Sequence, residues 1–408
     1  MIIQDAGLYG DMRKFVVTVN GKDITNAVTA VNIFQDVFSP TNTAVINVVD
    51  TENMLMRLPI NVGAKVTVEY ETKVGSEAGD GSASWSFTIY RIGEKDITNQ
   101  EIQSYVIFVA DKAFLNNQTK RIYRSYANTK CAAAVKKVVE EYLGGELQSH
   151  NDDSSIHFIA TGWTPFRTIA WLSKIATKQG AADFAFFQYP DAKFAFKSFE
   201  TLYSSQAESC GIKFEMHPTH TADEKHAAEY DYCTSISTYS FEHFDGLTNL
   251  AGGYYQNKLA TYDLMAKKWT VKNFKFGDDN AADKAKLKDD NGLFLGADES
   301  NISFVPKHPG MFKTAAYSDK AETWQTSRKS SVLKFDQEKL VIQLPGGGKT
   351  AKWFGKNCEV DLPAQDSFRR ERLDKQRRGR YLITAINHSL NKDAYLVTLE
   401  LCKKRLEA

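Results

Sequence analysis

The chain lacks three features that would assign it to a familiar class: an excess of one charge, a regular cysteine pattern and a long apolar segment. Its 51 lysine and arginine residues are balanced by 50 aspartate and glutamate residues, and the net charge is +1. A protein that mainly holds nucleic acid usually has a clear basic excess, because neutralised phosphates supply most of the affinity. The balance therefore argues against nucleic-acid binding over the whole surface, although a local basic strip is compatible with it.

The cysteines are few and irregularly placed. There are five, and none lies in a CxxC pair: Cys131, Cys210, Cys233, Cys358 and Cys402. This favours reduced thiols in a protein made in the cytosol over a disulfide framework or a zinc site. No segment approaches ~20 consecutive apolar residues, and residues 1–5 do not resemble the start of a signal peptide. We expect a soluble chain with no membrane-spanning segment.

Motifs of known catalytic and ligand-binding sites are absent or incomplete. Neither HExxH nor GxSxG occurs, and no carboxylate pair is set apart as in a glycosidase. Gly346–Thr350 resembles a phosphate-binding loop, but glutamine stands at position 343, and the segment joins two predicted strands instead of opening a helix. Asp289–Gly292 fits a turn better than a calcium loop, since such a loop would begin at Leu287. We expect no enzyme activity and no cofactor.

One group of residues has side chains suited to a transition metal: His217, His220, His226 and Cys233. Their spacing matches no helical or knuckle pattern of zinc ligands. We interpret the stretch as a solvated loop, and metal binding is the alternative.

A β motif occurs twice, once near each end of the chain. Each copy offers three strands in the same order, at 63–70, 87–90 and 105–109 in the first copy and at 355–362, 381–384 and 395–399 in the second. The span from the opening glycine to the last tyrosine is nearly the same in both copies. Two similar β units in one chain suggest a quasi-symmetric assembly.

The last strand of the first copy is apolar at every position over 105–110. A strand that is apolar on both faces needs cover on both, from a helix of the same chain or from another subunit. The candidates for a subunit interface are therefore Tyr105, Val106, Phe108 and Ala110.

Between the two copies the pattern changes to helices. Apolar residues at helical spacing over 128–144 and 164–180 predict two amphipathic helices. The alternating aromatic residues of 184–199 predict a hairpin on which these helices pack, with a ligand-binding shelf of aromatic rings as the alternative. Residues 241–335 are the least regular part. We interpret them as an insertion in the second β unit, which is predicted to resume at 332–335.

The strongest local charge feature is a strip of six arginines between two strands of the second β unit: Arg369, Arg370, Arg372, Arg377, Arg378 and Arg380. We interpret it as a protruding loop that is solvated or contacts another subunit. Contact with passing DNA or with an acidic partner is the alternative. Exchanging Arg377 and Arg378 for glutamate would abolish assembly in the first case and impair only DNA delivery in the second.

The order of these segments resembles the baseplate hub proteins of contractile-tailed bacteriophages. The segments that carry the resemblance are Phe38–Asp50 with 53–63, the helix pair with the 184–199 hairpin, 253–264, and 340–346 leading to 360–363 and 379–383. Together they cover nearly the whole chain.

The resemblance implies an α+β, β-dominated fold with two similar antiparallel β-barrel tube domains. These would comprise 1–115, and 206–240 with 331–408. Residues 116–205 would form a helix-pair plus hairpin domain, and 241–330 a peripheral insertion. The family has no catalytic residues, metal ligands or cofactors to transfer.

The resemblance also implies a homotrimer whose six tube domains form a pseudo-sixfold ring. Such a ring would join the hexameric tail tube to the trimeric central spike and leave a channel for DNA. Tape measure and baseplate wedge proteins would be further partners, and the location would be the virion baseplate after synthesis in the host cytoplasm. The near alternative is the hub of a phage-derived injection machine, such as a tailocin or type VI secretion spike. The distant one is a tail-associated hydrolase acting on cell wall or glycan.

Overall fold

The computed structural model describes residues 12–58, 60–72, 82–97, 102–149, 152–204, 209–216, 234–243, 246–275, 301–307, 321–333, 338–347, 350–364, 374 and 377–403. The strands are β1 (Met12–Val19), β2 (Lys22–Asp23), β3 (Val28–Asp36), β4 (Thr43–Asp50), β5 (Lys65–Thr72), β6 (Ser82–Ile97), β7 (Gln103–Ala110), β8 (Ile122–Lys130), β9 (Leu147–Ser149), β10 (Ser155–Trp163), β11 (Phe184–Gln188), β12 (Phe194–Ser198), β13 (Ser209–Glu215), β14 (Thr238–His243), β15 (Gln256–Asp263), β16 (Lys268–Lys275), β17 (Ile302–Lys307), β18 (Glu338–Pro345), β19 (Asn357–Asp361), β20 (Gly379–Leu390) and β21 (Tyr395–Lys403). The helices are α1 (Met54–Arg57), α2 (Lys112–Thr119), α3 (Cys131–Val138), α4 (Pro165–Ile175), α5 (Phe199–Tyr203), α6 (Gly246–Gly252) and α7 (Ala321–Leu333). The predicted β-dominated α+β class is confirmed.

The main sheet contains two units of six strands with the same topology. The order across the first is β3-β4-β7-β6-β5-β1, and across the second it is β14-β18-β21-β20-β19-β13. Numbered along the chain within each unit, both orders read 2-3-6-5-4-1. The units differ at one pair, because β1 is antiparallel to β5 whereas β13 is parallel to β19. The predicted duplication is confirmed, since β5-β6-β7 and β19-β20-β21 are the two copies of the motif.

One strand pair joins the two units into a single sheet. β20 runs antiparallel to β3, from Ala385 opposite Asp36 to Leu390 opposite Val31. Only the first part of β20, through Leu382, pairs with β19, which leaves the rest of that side for β3. Eight strands, β14-β18-β21-β20-β3-β4-β7-β6, therefore alternate in direction across both units.

Alternation along the strands gives the sheet one buried face. On β4, for example, Ala44, Ile46 and Val48 are buried, whereas Val45 and Asn47 are partly exposed. The buried residues of both units belong to one apolar core. Because burying one aliphatic side chain stabilises a fold by about 1.5–3 kcal/mol, this shared core holds the two units together.

The helix domain lies between the units in sequence and has its own core. Thr164 caps α4, because its Oγ1 accepts a hydrogen bond from the amide of Arg167. α3 continues through a π-helical turn to Gly144, whose φ of 77° suits glycine and ends the helix. The rings of the β11–β12 hairpin are buried with the residues of these helices, so the predicted packing of helices on the hairpin is confirmed.

One strand pair was not predicted from the sequence, and the start of one strand was predicted wrongly. β8 and β10, which pair with each other before α3 and α4, were not predicted, because polar residues dominate β8. Residues 332–335 were expected to resume the second β unit, but α7 extends to Leu333 and β18 begins only at Glu338. The reason is that Val332 and Leu333 end a helix whose other apolar residues are only Ala321 and Trp324, so the sequence shows no clear helical pattern. Lys334 and Phe335 lie outside the described residues.

The remaining strands form a small sheet in the order β16-β15-β17, and it is inserted between β14 and β18 of the second unit. The equivalent connection in the first unit, between β3 and β4, has no such insertion. α7 packs against this sheet and against α4. None of the helices in the described ranges is long and apolar enough to cross a membrane.

Candidate assembly surface

The eight-strand sheet ends in an open strand on each side. β14 pairs with β18 from Thr238 to His243, and its other side has no strand partner among the described residues. β6 pairs with β5 as far as Thr88 and with β7 from Thr88 to Ile97. Beyond Ile89, the side of β6 that faces away from β7 is also unpaired within the described ranges. Such strands present backbone donors and acceptors on which another chain can pair.

The junction inside the chain shows how such an edge is filled. β6 holds in the first unit the place that β20 holds in the second, and β14 holds the place of β3. The pair β20·β3 is antiparallel. Because the eight strands alternate in direction, β14 of a second copy would also run antiparallel beside β6. The two open edges are therefore the equivalents of the two strands that meet in the junction.

A row of mostly uncharged polar side chains crosses the outer face of the sheet. Register places these residues side by side across both units: Thr238, Gln343, Thr398, Asn387, Phe34 and Thr43. The row next to it includes two acids, Asp36 and Glu400, which flank Ala385. These two rows contain no cluster of cationic side chains that could bind phosphate groups.

The structure places β7, which carries the four predicted interface residues, inside the sheet between β4 and β6. Tyr105 lies in the chain's own core, with 2% of its surface exposed, whereas Ala110 is fully buried on the other face of the strand, beside Thr43 and Thr88. Val106 and Phe108 are half-buried on the outer face. Phe108 lies 6.3 Å from the ring of Tyr90, and the guanidinium of Arg91 lies 5.2 Å from its centroid. Only Val106 and Phe108 of the four therefore reach the surface.

The arginine strip divides into two parts. Three of its members lie outside the described residues: Arg369, Arg370 and Arg372. Arg377 is held against β14, because its guanidinium lies 4.1 Å from the centroid of Phe241 and 3.6 Å from the carboxylate of Asp374. Arg378 and Arg380 are exposed. Arg377 thus supports an open strand, while Arg378 and Arg380 are accessible to a partner.

A buried polar network crosses the junction between the units. Nδ1 of His388 lies 2.6 Å from the hydroxyl of Tyr395, and Nε2 lies 2.8 Å from Oε1 of Gln35 on β3. The hydroxyl of Tyr395 is 3.3 Å from that of Tyr70 on β5. Since an amide oxygen only accepts, Nε2 of His388 donates and Nδ1 accepts. Burial lowers the pKa of His388 to about 3, so the ring is neutral at neutral pH.

This network was not predicted from the sequence, although one signal was present. His388 stands between Ile386 and Leu390 at strand spacing, which places it on the buried face. A histidine in that position needs partners for both ring nitrogens, but the sequence does not indicate that one partner comes from the other β unit.

Two stretches lie outside the described residues: His217–Cys233, interpreted as a solvated loop with metal binding as the alternative, and the Asp289–Gly292 turn. Within the described ranges, no group of three or more His, Cys, Asp and Glu side chains could hold a metal ion. The glycine-rich segment follows β18 and leads through a short 3-10 turn at Thr350–Trp353 to β19. A Cβ at Gly346 would collide with the ring of Tyr395. This glycine is therefore explained by close packing in a strand connection.

Comparison with known proteins gives a likeness of fold. No family model matches the chain, and no curated protein matches it in sequence. The 43 kDa tail protein of prophage MuSo2 from Shewanella oneidensis shares 11% identity at a TM-score of 0.57, over 96% of this chain and 98% of that one. The tail protein from Neisseria meningitidis MC58 shares 11% identity at a TM-score of 0.56, over 95% and 96% of the two chains. The chain therefore has the fold of phage tail proteins, in agreement with the resemblance of its sequence to baseplate hubs.

Proposed function

We propose that the protein is a structural hub of a phage tail baseplate, and that three copies close into a ring through pairing of β14 with β6 of the next copy. The junction β20·β3 carries this proposal, because each chain already contains one such contact and the two open edges equivalent to it. The first and second β units of the three chains would then alternate around the ring, six units in all. The family resemblance implies three chains. In a closed ring, the β14 edge of each chain pairs with the β6 edge of the next, so no edge stays open.

The register of the junction predicts which residues meet between chains. Asn387 on β20 lies opposite Phe34 on β3. Tyr105 and Tyr395 are the equivalent last tyrosines of the two copies of the motif. Counted from them through the strand pairs of each unit, Arg91 is the equivalent of Asn387, and Ser240 is the equivalent of Phe34. We therefore expect Arg91 to lie opposite Ser240 of the neighbouring chain. Both side chains are exposed in the single chain.

The outer face of the sheet would line the channel of this ring. Its uncharged polar row and the neighbouring acids, Asp36 and Glu400, would not retain the phosphates of a passing duplex. Because DNA would be attracted only weakly to this face, a duplex could pass along it without being held, and this supports a channel for DNA. Of the arginines, Arg378 and Arg380 remain candidates for contact with DNA or a partner protein.

The same ring would have both sixfold and threefold character. Its two β units per chain give six similar positions, as a hexameric tail tube requires. The small sheet is inserted in the second unit and not at the equivalent place in the first, so it recurs three times per ring and suits a trimeric spike. We propose the tail tube and spike proteins as partners, with tape measure and wedge proteins as further neighbours. No catalytic role is proposed.

The experiment is disulfide cross-linking of the variant Arg91→Cys/Ser240→Cys. Directly opposite residues of antiparallel strands have Cα atoms about 4.5–5.5 Å apart, which suits a disulfide. The native cysteines Cys131, Cys358 and Cys402 are buried and will not compete, and Cys210 and Cys233 are replaced by serine in every variant. Under mild oxidation we expect covalent species that end at three chains on a denaturing gel.

Each single-cysteine variant should remain monomeric on the same gel. The matched control is Lys14→Cys/Ser240→Cys, because Lys14 is exposed on the outer face of β1, away from both open edges. Equal linking in this control would show that the contacts are random. A ladder that continues beyond three chains would show an open filament instead of a ring.

A further inference from the structure

The small sheet of β15, β16 and β17 has one covered and one open face. On the covered face, Oγ1 of Thr261 donates to the carboxylate of Glu322 on α7 at 2.8 Å. Lys307 forms an ion pair with the same carboxylate at 3.4 Å, and Nζ of Lys272 donates to the backbone oxygen of Glu322 at 2.7 Å. α7 thus covers this face through polar contacts of Glu322 and through side-chain packing.

The open face is apolar and contiguous. Register places five large apolar side chains on it: Tyr262, Trp269, Val271, Ile302 and Phe304. Their exposed fractions are 56% for Trp269, 55% for Val271, 42% for Ile302 and 69% for Phe304. The ring of Trp269 lies 4.8 Å from that of Tyr262 and 6.2 Å from that of Phe304. Exposed apolar side chains that form one patch mark an interaction surface.

The charge around this patch has one sign. The described residues of the sheet and its β15–β16 turn include six lysines and one acid. Register places Asp263, Lys268, Lys272 and Lys307 on the covered face and Lys258 and Lys275 on the open face, and Lys267 lies in the turn. Lys258 lies on the open face itself, at the end opposite the β15–β16 turn. Lys267 and Lys268 are exposed at the turn. Lysines therefore lie at both ends of the apolar patch. The two ends are about 13 Å apart, because four residues of extended chain separate them.

We propose that this face, named here the aromatic face, binds a segment of another protein whose apolar side chains are flanked by aspartate or glutamate. The apolar residues would cover the rings of Trp269 and Phe304, and the carboxylates would pair with Lys258 at one end and with Lys267 at the other. β16 has an open side within the described ranges, so an extended segment can also pair with its backbone.

Other occupants fit the surface less well. A second copy of the same face would bring lysines against lysines. Single-stranded nucleic acid stacks on accessible ring faces, but these rings are inclined to each other by 42° and 83°, and the aliphatic Val271 and Ile302 form part of the patch. The proposal is independent of ring closure, since the aromatic face lies outside the main sheet.

The test selects ligands without assuming a partner. A library of random 12-residue displayed peptides is panned on the full-length chain and counter-selected on the variant Trp269→Ser/Phe304→Ser. We expect the enriched peptides to share an aromatic or aliphatic centre flanked by Asp or Glu. The best peptide is then synthesised, and its Kd is measured by fluorescence anisotropy.

The counter-selection variant should bind that peptide at least about tenfold more weakly, and Lys258→Glu/Lys267→Glu about five- to tenfold more weakly, with reduced salt dependence. The control Tyr123→Ser/Ile159→Ser, which removes two exposed apolar side chains from the β8–β10 pair, should bind unchanged. Circular dichroism checks that every variant is folded, and the oligomeric mass of Trp269→Ser/Phe304→Ser should equal that of the wild type.

Three results would overturn the proposal. Enriched peptides without acidic residues would remove the role of the lysines. Equal binding by the wild type and the serine variant would place the site elsewhere. Tighter binding of the oligonucleotide dT20 or of chitohexaose than of the best peptide would assign the aromatic face to nucleic acid or glycan.

Discussion

The buried histidine of the junction gives a quantitative prediction for acid stability. In the folded chain the pKa of His388 is lowered to about 3 by burial, whereas an unfolded histidine has a pKa of about 6.5. Below pH 6.5 the unfolded chain binds a proton that the folded chain does not accept until about pH 3. The contribution of His388 to stability is therefore complete above pH 6.5 and falls as the pH decreases towards 3. At pH 5 the loss is about 2 kcal/mol.

The assay is urea unfolding of the wild type and His388→Gln at pH 8 and pH 5, followed by tryptophan fluorescence. The ring of Trp85 lies 5.8 Å from that of His388 and reports on the junction. Other groups titrate in both proteins, so the difference between them isolates His388. We expect the wild type to lose about 2 kcal/mol more than the variant between the two pH values.

The control variant is Ser389→Ala, which changes the neighbouring residue on β20 without removing an ionisable group and should lose as much stability as the wild type. Equal losses in the wild type and His388→Gln would refute the reasoning. They would show that His388 accepts a proton in the folded chain as readily as in the unfolded one, and that the contacts with Gln35 and Tyr395 do not hold it neutral.

Three further predictions concern the open edges and the insertion. Phe108→Lys should weaken trimer formation about tenfold, because it removes a ring beside the open part of β6; a trimer of unchanged stability by analytical ultracentrifugation would contradict this. Arg377→Ala should destabilise β14 by about 1 kcal/mol through loss of its contact with Phe241, seen as faster hydrogen exchange in that strand, whereas Arg378→Ala should have no effect. Arg328→Ala removes hydrogen bonds from α7 to the backbone oxygens of residues 173 and 182, at 2.8 and 3.1 Å, and should weaken docking of α7 by about 2–4 kcal/mol. Limited proteolysis of α7 at an unchanged rate would exclude that role.

The sequence predicted those parts of the fold that depend on local patterns. Strand alternation and the matching spans from Gly63 to Tyr105 and from Gly355 to Tyr395 identified the duplicated motif. The aromatic hairpin and its packing under two helices were also predictable. By contrast, the pairing of β20 with β3 joins strands from opposite ends of the chain, and no local pattern records which distant strand fills an edge.

The predicted interface shows the same limit at the level of single residues. Tyr105 and Phe108 are both apolar and alternate on one strand, so composition cannot distinguish the core face from the outer face. Only the burial of Tyr105 in the core does so. The position of β7 between β4 and β6 moves the proposed edge contact to β6. The roles of Arg91 and Ser240 follow from comparing the two units in space, and neither residue type attracts attention in the sequence.

The central claim is that the open edges β6 and β14 meet between chains as β20 and β3 meet within one. Electron cryomicroscopy of the purified protein tests it most directly. We expect a closed ring of three 45.8 kDa chains, with β14 of each chain antiparallel to β6 of its neighbour and Arg91 beside Ser240. A monomer, or a trimer held together through β1 or the helix domain with both edges open, would contradict it.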